Sequence, residues 1–146
     1  MKKFSSVLVA IFLIFSVSFS FAADAKKLTA KQEKKLEQKA KKICDGMMPL
    51  YGLALDSYYK KKDDNAVRIR LSNKIDLDKK IKVYYTDYLE KDPLINAVMS
   101  VSAPHAKKIM AQYPDDQGVY KQSIEVTKTM TLPPVCQRDM KEAFRG

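Results

Sequence analysis

Apolar residues in the first half of the chain recur at steps of three and four behind a helix-start motif. The motif is Thr29-Ala30-Lys31-Gln32, with a hydroxyl at the cap position and a glutamine three residues later. Behind it follow Leu36, Ala40, Ile43, Met47, Leu50, Ala54 and Tyr58. This spacing is typical of one buried helix face. Because Gly46 and Pro49 interrupt it, we expect a kink, or two helices meeting near residues 46–49.

Two segments, residues 66–85 and 119–132, fit both a helix and a strand. In the first segment, apolar residues alternate with arginines as in a strand. Yet Val67, Leu71 and Ile75 also step by four, as in a helix. The second segment combines alternating threonines with a helical spacing of larger residues. The pattern leaves both assignments open, although Asp78 fits the cap of a helix that runs to about residue 91.

Prolines behind polar residues predict the remaining helix starts. Asp92-Pro93 fits the cap and first turn of one helix, Ser102-Ala103-Pro104 predicts a restart, and Pro133-Pro134 begins a short final helix. Turn-forming residues fill positions 113–118. We therefore expect a mainly α protein, a small single-domain helical bundle of about five or six helices. The alternative is an α+β fold with a long helix on a small antiparallel sheet.

Residues 1–22 have the three parts of a secretory signal peptide. A basic start precedes an apolar run, and Ser20 and Ala22 supply the small residues of a cleavage site. Cleavage would leave a mature chain that begins near Ala23 or Asp24 and does not span a membrane. An uncleaved anchor is the alternative, but more lysines follow the apolar run than precede it, against the positive-inside tendency. We expect a periplasmic or secreted protein.

Both cysteines, Cys44 and Cys136, lie in the mature chain. In an exported protein with two cysteines, the simplest expectation is that they pair. Closing a loop of about 90 residues contributes roughly 4–5 kcal/mol in the loop-entropy model. Two free thiols or a metal pair are the alternatives. A metal pair is disfavoured because the chain has no CxxC motif and no histidine near either cysteine.

The positive charge of the chain is concentrated near its mature N-terminus. The whole sequence has 27 basic and 17 acidic residues, and residues 23–42 hold eight of the lysines. We divide the mature chain into a basic N-terminal arm, residues 23–35, and a helical domain, residues 36–146. A basic arm favours anionic partners, although a solvated helix end has the same composition.

Lysines of the arm and a cluster of tyrosines are the candidate partner-binding residues. Tyrosines give contact area at low entropic cost, although they also line cores with their hydroxyls at the edge. We expect the partner to be a protein or an anionic envelope component, and an exported protein is not expected to bind nucleic acid. The candidates are Lys26, Lys27, Lys31, Lys34, Lys35, Tyr84, Tyr85 and Tyr88.

Residues with catalytic or metal-binding chemistry are few. His105, the only histidine, follows a proline in a predicted first turn, where we expect it at the surface rather than in a catalytic pair. The acidic residues 63–64 and 76–78 lack the glycine and distal glutamate of a calcium loop. Met47 and Met48 fit a core better than a copper site. We expect no catalytic residue, no bound metal and no cofactor.

These features predict a small secreted or periplasmic binding protein, such as an inhibitor or immunity protein for an envelope enzyme or toxin. The general layout resembles that of several small periplasmic proteins, including stress chaperones and toxin immunity proteins. A periplasmic stress chaperone is the first alternative, because the basic arm and apolar helices would hold unfolded clients. An enzyme with an unrecognised carboxylate site is the second, since paired carboxylates need not be adjacent in sequence.

Overall fold

The structure, a computed structural model, describes residues 27–82 and 90–145. These residues form a helical bundle and contain no strand, so the mainly α prediction is confirmed and the α+β alternative is wrong for them. Within these two ranges, no helix has the length and apolar character needed to cross a membrane. The helices are α1 (Ala30–Tyr59), α2 (Asp64–Leu77), α3 (Lys91–Gln112), α4 (Gln117–Val126) and α5 (Leu132–Arg145), with a π-helical turn (Thr127–Thr131) between α4 and α5.

The long helix α1 begins at the predicted cap and continues through Pro49. The Thr29 hydroxyl accepts from the Gln32 backbone N–H, and the Gln32 side chain accepts from the Thr29 backbone N–H. Of the two alternatives predicted for residues 46–49, a junction of two separate helices is wrong, because one helix continues through them. Proline inside a helix costs about 3 kcal/mol, but Met48 and Leu50 on either side of Pro49 are buried and hold both parts against the core.

Both ambiguous segments are helical in their described residues, apart from the cap residue Asp78. In α2, Val67, Leu71 and Ile75 are fully buried, whereas Ile69 is 52% exposed. A strand with one buried face would have placed Ile69 on the same side as Val67 and Leu71. After α2, the Asp78 side chain accepts from the backbone N–H groups at residues 80 and 81, and so caps the helical stretch that follows. Residues 83–89 lie outside the described chain.

Prolines begin fewer helices than the sequence predicts. Pro93 lies in the first turn of α3, but Glu90 rather than Asp92 is the cap residue and its side chain makes no capping bond. Pro104 lies inside α3, so the predicted restart there is wrong. Its ring is exposed, while Ser102 and Ala106 beside it are buried, and Ala106 packs with residues of α1 and α4.

Pro133 and Pro134 lie in the first turn of α5, one residue after the π-helical turn. Neither has a backbone N–H, and in a regular α-helix their rings would meet the carbonyls of Thr129 and Met130. A π turn inserts one extra residue into the helix, and such turns occur inside longer helices. The predicted final helix is therefore a continuation of α4 through the π turn into α5.

Helix α1 lies at the centre of the bundle and contacts α2, α3, α4 and α5. Residues 40–54 of α1 contribute to the main core, while its C-terminal end contributes to a smaller second cluster formed by Leu55, Tyr59, Ala106 and Tyr120. Cys44 of α1 and Cys136 of α5 form a disulfide with a Cα–Cα distance of 5.9 Å, which confirms the predicted pairing. The bridge fixes the two helices side by side.

Candidate functional site

Helix α1 exposes a row of lysines on the side opposite its buried residues. At 100° per residue, Lys31, Lys35 and Lys42 lie within about 40° of one another around the helix. Lys34 and Lys41 flank this row, and all five side chains are exposed. Lys41 pairs with Asp45 at 2.8 Å, whereas the other four make no ion pair within the described residues. We call these five lysines, together with Arg138 of α5, the cationic surface.

Two acidic residues of α1 beside the cationic surface, Glu33 and Glu37, are paired with basic residues of α5. Glu33 pairs with Arg145 and lies 3.5 Å from Lys141, and Glu37 accepts a hydrogen bond from Lys141 at 2.8 Å. This bond and the charge of Lys141 lower the pKa of the Glu37 carboxyl. The bond to Glu37 likewise raises the pKa of Lys141. Glu33 and Glu37 are therefore engaged with α5 and do not neutralise the lysines on the outer face.

An open groove of about 700 Å³ runs between α1 and α5 beside the cationic surface. Arg138 forms part of its wall and binds the buried Asp139 carboxylate at 2.9 Å. The second oxygen of Asp139 has no hydrogen-bond partner. Basic side chains outnumber acidic ones along the groove, which is lined by Lys34, Glu37, Gln38, Lys41, Pro134, Gln137, Arg138, Lys141, Glu142 and Arg145.

The structure describes only some of the residues predicted to bind a partner. Lys31, Lys34 and Lys35 lie together in the first turns of α1, and Lys27 is exposed just before that helix. The predicted signal peptide and arm residues before Lys27 lie outside the described residues, as do Lys26, Tyr84, Tyr85 and Tyr88.

Sequence reasoning missed the basic residues of α5, although one signal for them was present. Arg138, Lys141 and Arg145 come beside the lysines of α1 only because α5 packs along α1. The predicted Cys44–Cys136 pairing already required that proximity. The basic residues of the last helix and the predicted disulfide together predict that Arg138, Lys141 and Arg145 lie beside the lysines of α1.

His105 is half-buried, so the prediction of a surface position is wrong. Pro104 next to it is exposed, but the imidazole turns towards α4. Its Nε2 lies 3.1 Å from Ser123 Oγ, and Ser123 Oγ lies 2.8 Å from Tyr59 Oη of α1. Burial, and the positive charge of Lys108, lower the pKa of His105. The sequence carried no signal that Ser123 would meet this histidine, because the contact depends on how α3 and α4 pack.

The acidic residues considered as metal ligands or catalytic groups have structural partners. Asp63 caps α2, Asp76 pairs with Lys91 at 2.6 Å, and Asp78 pairs with Lys74 at 3.1 Å. Across residues 27–82 and 90–145, no three His, Cys, Asp or Glu side chains are grouped so that they could hold a metal ion. Met47 and Met48 are buried in the main core, as a packing role requires.

No family model matches this chain, and comparisons with curated proteins and with solved structures also find no match.

Proposed function

We propose that the protein is a small exported binding protein that docks onto an acidic surface of another protein, in the manner of an inhibitor or immunity protein for an envelope enzyme or toxin. The observation that carries this proposal is the unneutralised row of lysines on α1. Lys31, Lys34, Lys35 and Lys42 make no ion pair within the described residues, while Glu33 and Glu37 beside them are engaged with α5. Such a surface attracts a negatively charged partner and accelerates its association.

The rigidity of the cationic surface favours one specific partner over many. Its lysines lie on a continuous helix of 30 residues, and the Cys44–Cys136 bridge holds α5 beside that helix. The helix fixes the backbone positions of these lysines, so a partner with carboxylates at a matching spacing binds without ordering the backbone. A chaperone that holds varied clients benefits instead from adaptable apolar surface.

The proposed location outside the cytoplasm draws support from the disulfide. Bridges between distant cysteines persist in oxidising compartments and are rare in reducing ones. The bridge here joins residues that are 92 positions apart in the chain. Export through a signal peptide at residues 1–22 would deliver the protein to such a compartment.

Charge reversal on the cationic surface tests the proposal. A K31E/K35E/K42E variant changes three exposed lysines that make no ion pair within the described residues. A K62E/K107E/K121E variant alters net charge equally at exposed positions elsewhere on the molecule. Each form is immobilised and incubated with the envelope fraction, then eluted with increasing salt. Captured proteins are identified and their stoichiometry measured.

We expect the wild-type and control proteins to retain one partner at a fixed stoichiometry and to release it at moderate salt. The surface variant should lose that partner. Capture of many unrelated proteins, equally by all three forms, would contradict the proposal and favour a stress chaperone. Capture of no partner by any of the three forms would also contradict the proposal. It would favour the alternative of an enzyme with an unrecognised carboxylate site.

A further inference from the structure

Arg138 is an exposed arginine that a buried carboxylate holds in place at the groove between α1 and α5. Its Nε donates a hydrogen bond at 2.9 Å to Asp139 Oδ1, and its Nη2 lies 2.9 Å from the same oxygen. The Asp139 side chain is 1% exposed, whereas that of Arg138 is 59% exposed. One edge of the guanidinium is therefore fixed inside the protein, while the rest of the group reaches the surface.

The other edge of this guanidinium is free to donate. A guanidinium carries five N–H groups in one rigid plane. With the Nε–H and one Nη2–H directed at Asp139, the second Nη2–H and both Nη1–H groups point away from it. These three groups make no hydrogen bond within the described residues. Since Arg138 lines the groove, it presents there a pair of parallel donors, the fork that matches the two oxygens of a carboxylate.

The Arg138–Asp139 pair is poorly explained as a contact that stabilises the fold. The second oxygen of Asp139 is buried and has no hydrogen-bond partner. A buried charged group with an unpaired oxygen is costly, and a buried ion pair often adds no net stability. The consequence that remains is orientation. A long side chain that is ordered before a ligand arrives loses less rotamer entropy when the ligand binds.

The residues around Arg138 favour an anionic ligand. Because Asp139 balances its charge, Arg138 contributes hydrogen-bond geometry rather than net charge. The net positive charge comes from the lysines of α1, of which Lys34 lines the groove and makes no ion pair within the described residues. Glu142, one turn beyond Arg138, is exposed on the same groove and also makes no ion pair within the described residues. The free edge of the guanidinium is therefore not taken by this neighbouring carboxylate.

We propose that the free edge of Arg138 is a carboxylate-binding subsite, which receives an aspartate or glutamate side chain of the partner protein, and that Asp139 is the residue that positions it. This inference rests on the proposed function, because it names the group that the docked partner supplies. The lysines of α1 attract the acidic partner across several ångströms of solvent. Arg138 then fixes the position of the partner, because two parallel hydrogen bonds form in one geometry only.

Proton exchange at the arginine Nε–H groups tests whether Asp139 positions Arg138. The chain has four arginines, and Arg138→Lys and Arg145→Lys variants each remove one Nε–H signal from the NMR spectrum and so assign it. Arg145 binds Glu33 through Nη2, and its Nε makes no hydrogen bond within the described residues. We expect the Arg138 Nε–H to exchange with water several-fold more slowly than that of Arg145, although Arg138 is the more exposed side chain. Equal or faster exchange at Arg138 would overturn the proposal.

Binding of a short acidic peptide tests the subsite itself. The probe is tetraglutamate blocked at both ends, so that all its carboxylates are side chains, and blocked tetraglutamine is the uncharged control. Titrated into the labelled protein at low salt, tetraglutamate should shift NMR signals of Arg138 and its neighbours, and tetraglutamine should not. R138K keeps the charge but loses the planar fork, so it should bind several-fold more weakly. R68K, the same change in α2 outside the groove, should bind like the wild type. No peptide binding, or equal binding by R138K, would overturn the subsite.

Capture from the envelope fraction separates this inference from the proposed function. Immobilised R138K and R68K proteins are compared with the K31E/K35E/K42E variant and the wild type. We expect R138K to release the partner at lower salt than R68K does. If the triple lysine variant loses the partner while R138K retains it as firmly as R68K, the subsite is wrong and the proposed function stands. If no form captures a partner but tetraglutamate binds through Arg138, the proposed function is wrong and the carboxylate subsite stands.

Discussion

Lys61 and Asp115 form an ion pair between two loops, with Lys61 Nζ 3.2 Å from Asp115 Oδ1, and both residues have left-handed backbones. Their φ angles are 56° and 59°. Lys61 follows α1 and Asp115 follows α3, so the pair joins the two turns at the end of the bundle where α4 begins. The side chains are largely exposed, which limits the contribution of the pair to stability.

Replacement of Lys61 by glycine should stabilise the protein relative to replacement by alanine. Both variants remove the ion pair, but only glycine adopts a positive φ without steric cost. Glycine has greater freedom in the unfolded chain, which offsets part of this advantage. We therefore expect the free energy of unfolding of K61G to exceed that of K61A by about 0.5–1 kcal/mol. Urea unfolding of K61G and K61A measures it. An alanine variant as stable as the glycine variant would contradict the strain argument.

Reduction of the Cys44–Cys136 bridge should strongly destabilise the fold. The bridge closes a loop between residues 92 positions apart, and the loop-entropy model assigns about 4–5 kcal/mol to a loop of this size. Denaturant unfolding with and without a reducing agent measures the loss. A C44A/C136A variant serves as the control, because its stability should not respond to the reducing agent. Two reactive thiols in the native, unreduced protein would refute the pairing.

Removal of residues 23–35 should leave the helical fold intact, because the buried face of α1 begins after them. Leu36 is partly buried and Ala40 is fully buried, whereas Lys31, Lys34 and Lys35 are exposed. The deletion does remove Glu33 and with it the pair to Arg145. Circular dichroism and thermal unfolding measure the effect on the fold.

An E33Q variant is the matched control for that deletion. It loses the ion pair with Arg145 but keeps the lysines, and it should show a small loss of stability with partner binding retained. The truncated protein should instead bind an acidic partner more slowly, with the difference disappearing at high salt. If the truncated chain unfolds, the first turns of α1 are essential to packing.

Replacement of Gly52 by alanine should show coupling to Lys128. A Cβ atom at position 52 would lie 2.6 Å from Lys128 Cδ, so the lysine side chain crosses α1 at this glycine. Alanine favours the helix by about 1 kcal/mol over glycine. In a Lys128→Ala background, we expect Gly52→Ala to raise the free energy of unfolding by this full amount. In the wild-type background, we expect a smaller increase. A double-mutant cycle measures the coupling, and equal gains in both backgrounds would show that Lys128 moves aside freely.

Helical periodicity predicted the elements of this fold better than their boundaries. The step of four from Val67 to Leu71 to Ile75 identifies the buried face of α2, because burial on one side has that spacing. Pro49 and Pro104 were predicted to interrupt helices that in fact continue. The cost of a proline is local, whereas the packing that overrides it comes from other helices and is not visible within one segment.

The candidate site was predictable only where it lies on consecutive turns of one helix. Lys31, Lys34 and Lys35 are close in sequence, so their shared face follows from helix geometry. The contribution of Arg138 depends on the packing of α5 along α1, and the contact between His105 and Ser123 depends on the packing of α3 against α4. Such contacts join distant positions, and periodicity carries no information about them.

The bridge between α1 and α5 also determines which parts of the chain stay covalently joined after a protease cleaves it. The chain from Cys44 to Cys136 is a closed covalent ring that contains α2, α3 and α4. One cut in the loop after α1 or in the loop after α3 opens the ring but cannot separate the pieces. The lysines of α1 and the basic residues of α5 lie close to the bridge or beyond it towards the chain ends, so they stay joined in the nicked molecule. The cationic surface is thus the part of this protein whose covalent connection best survives cleavage.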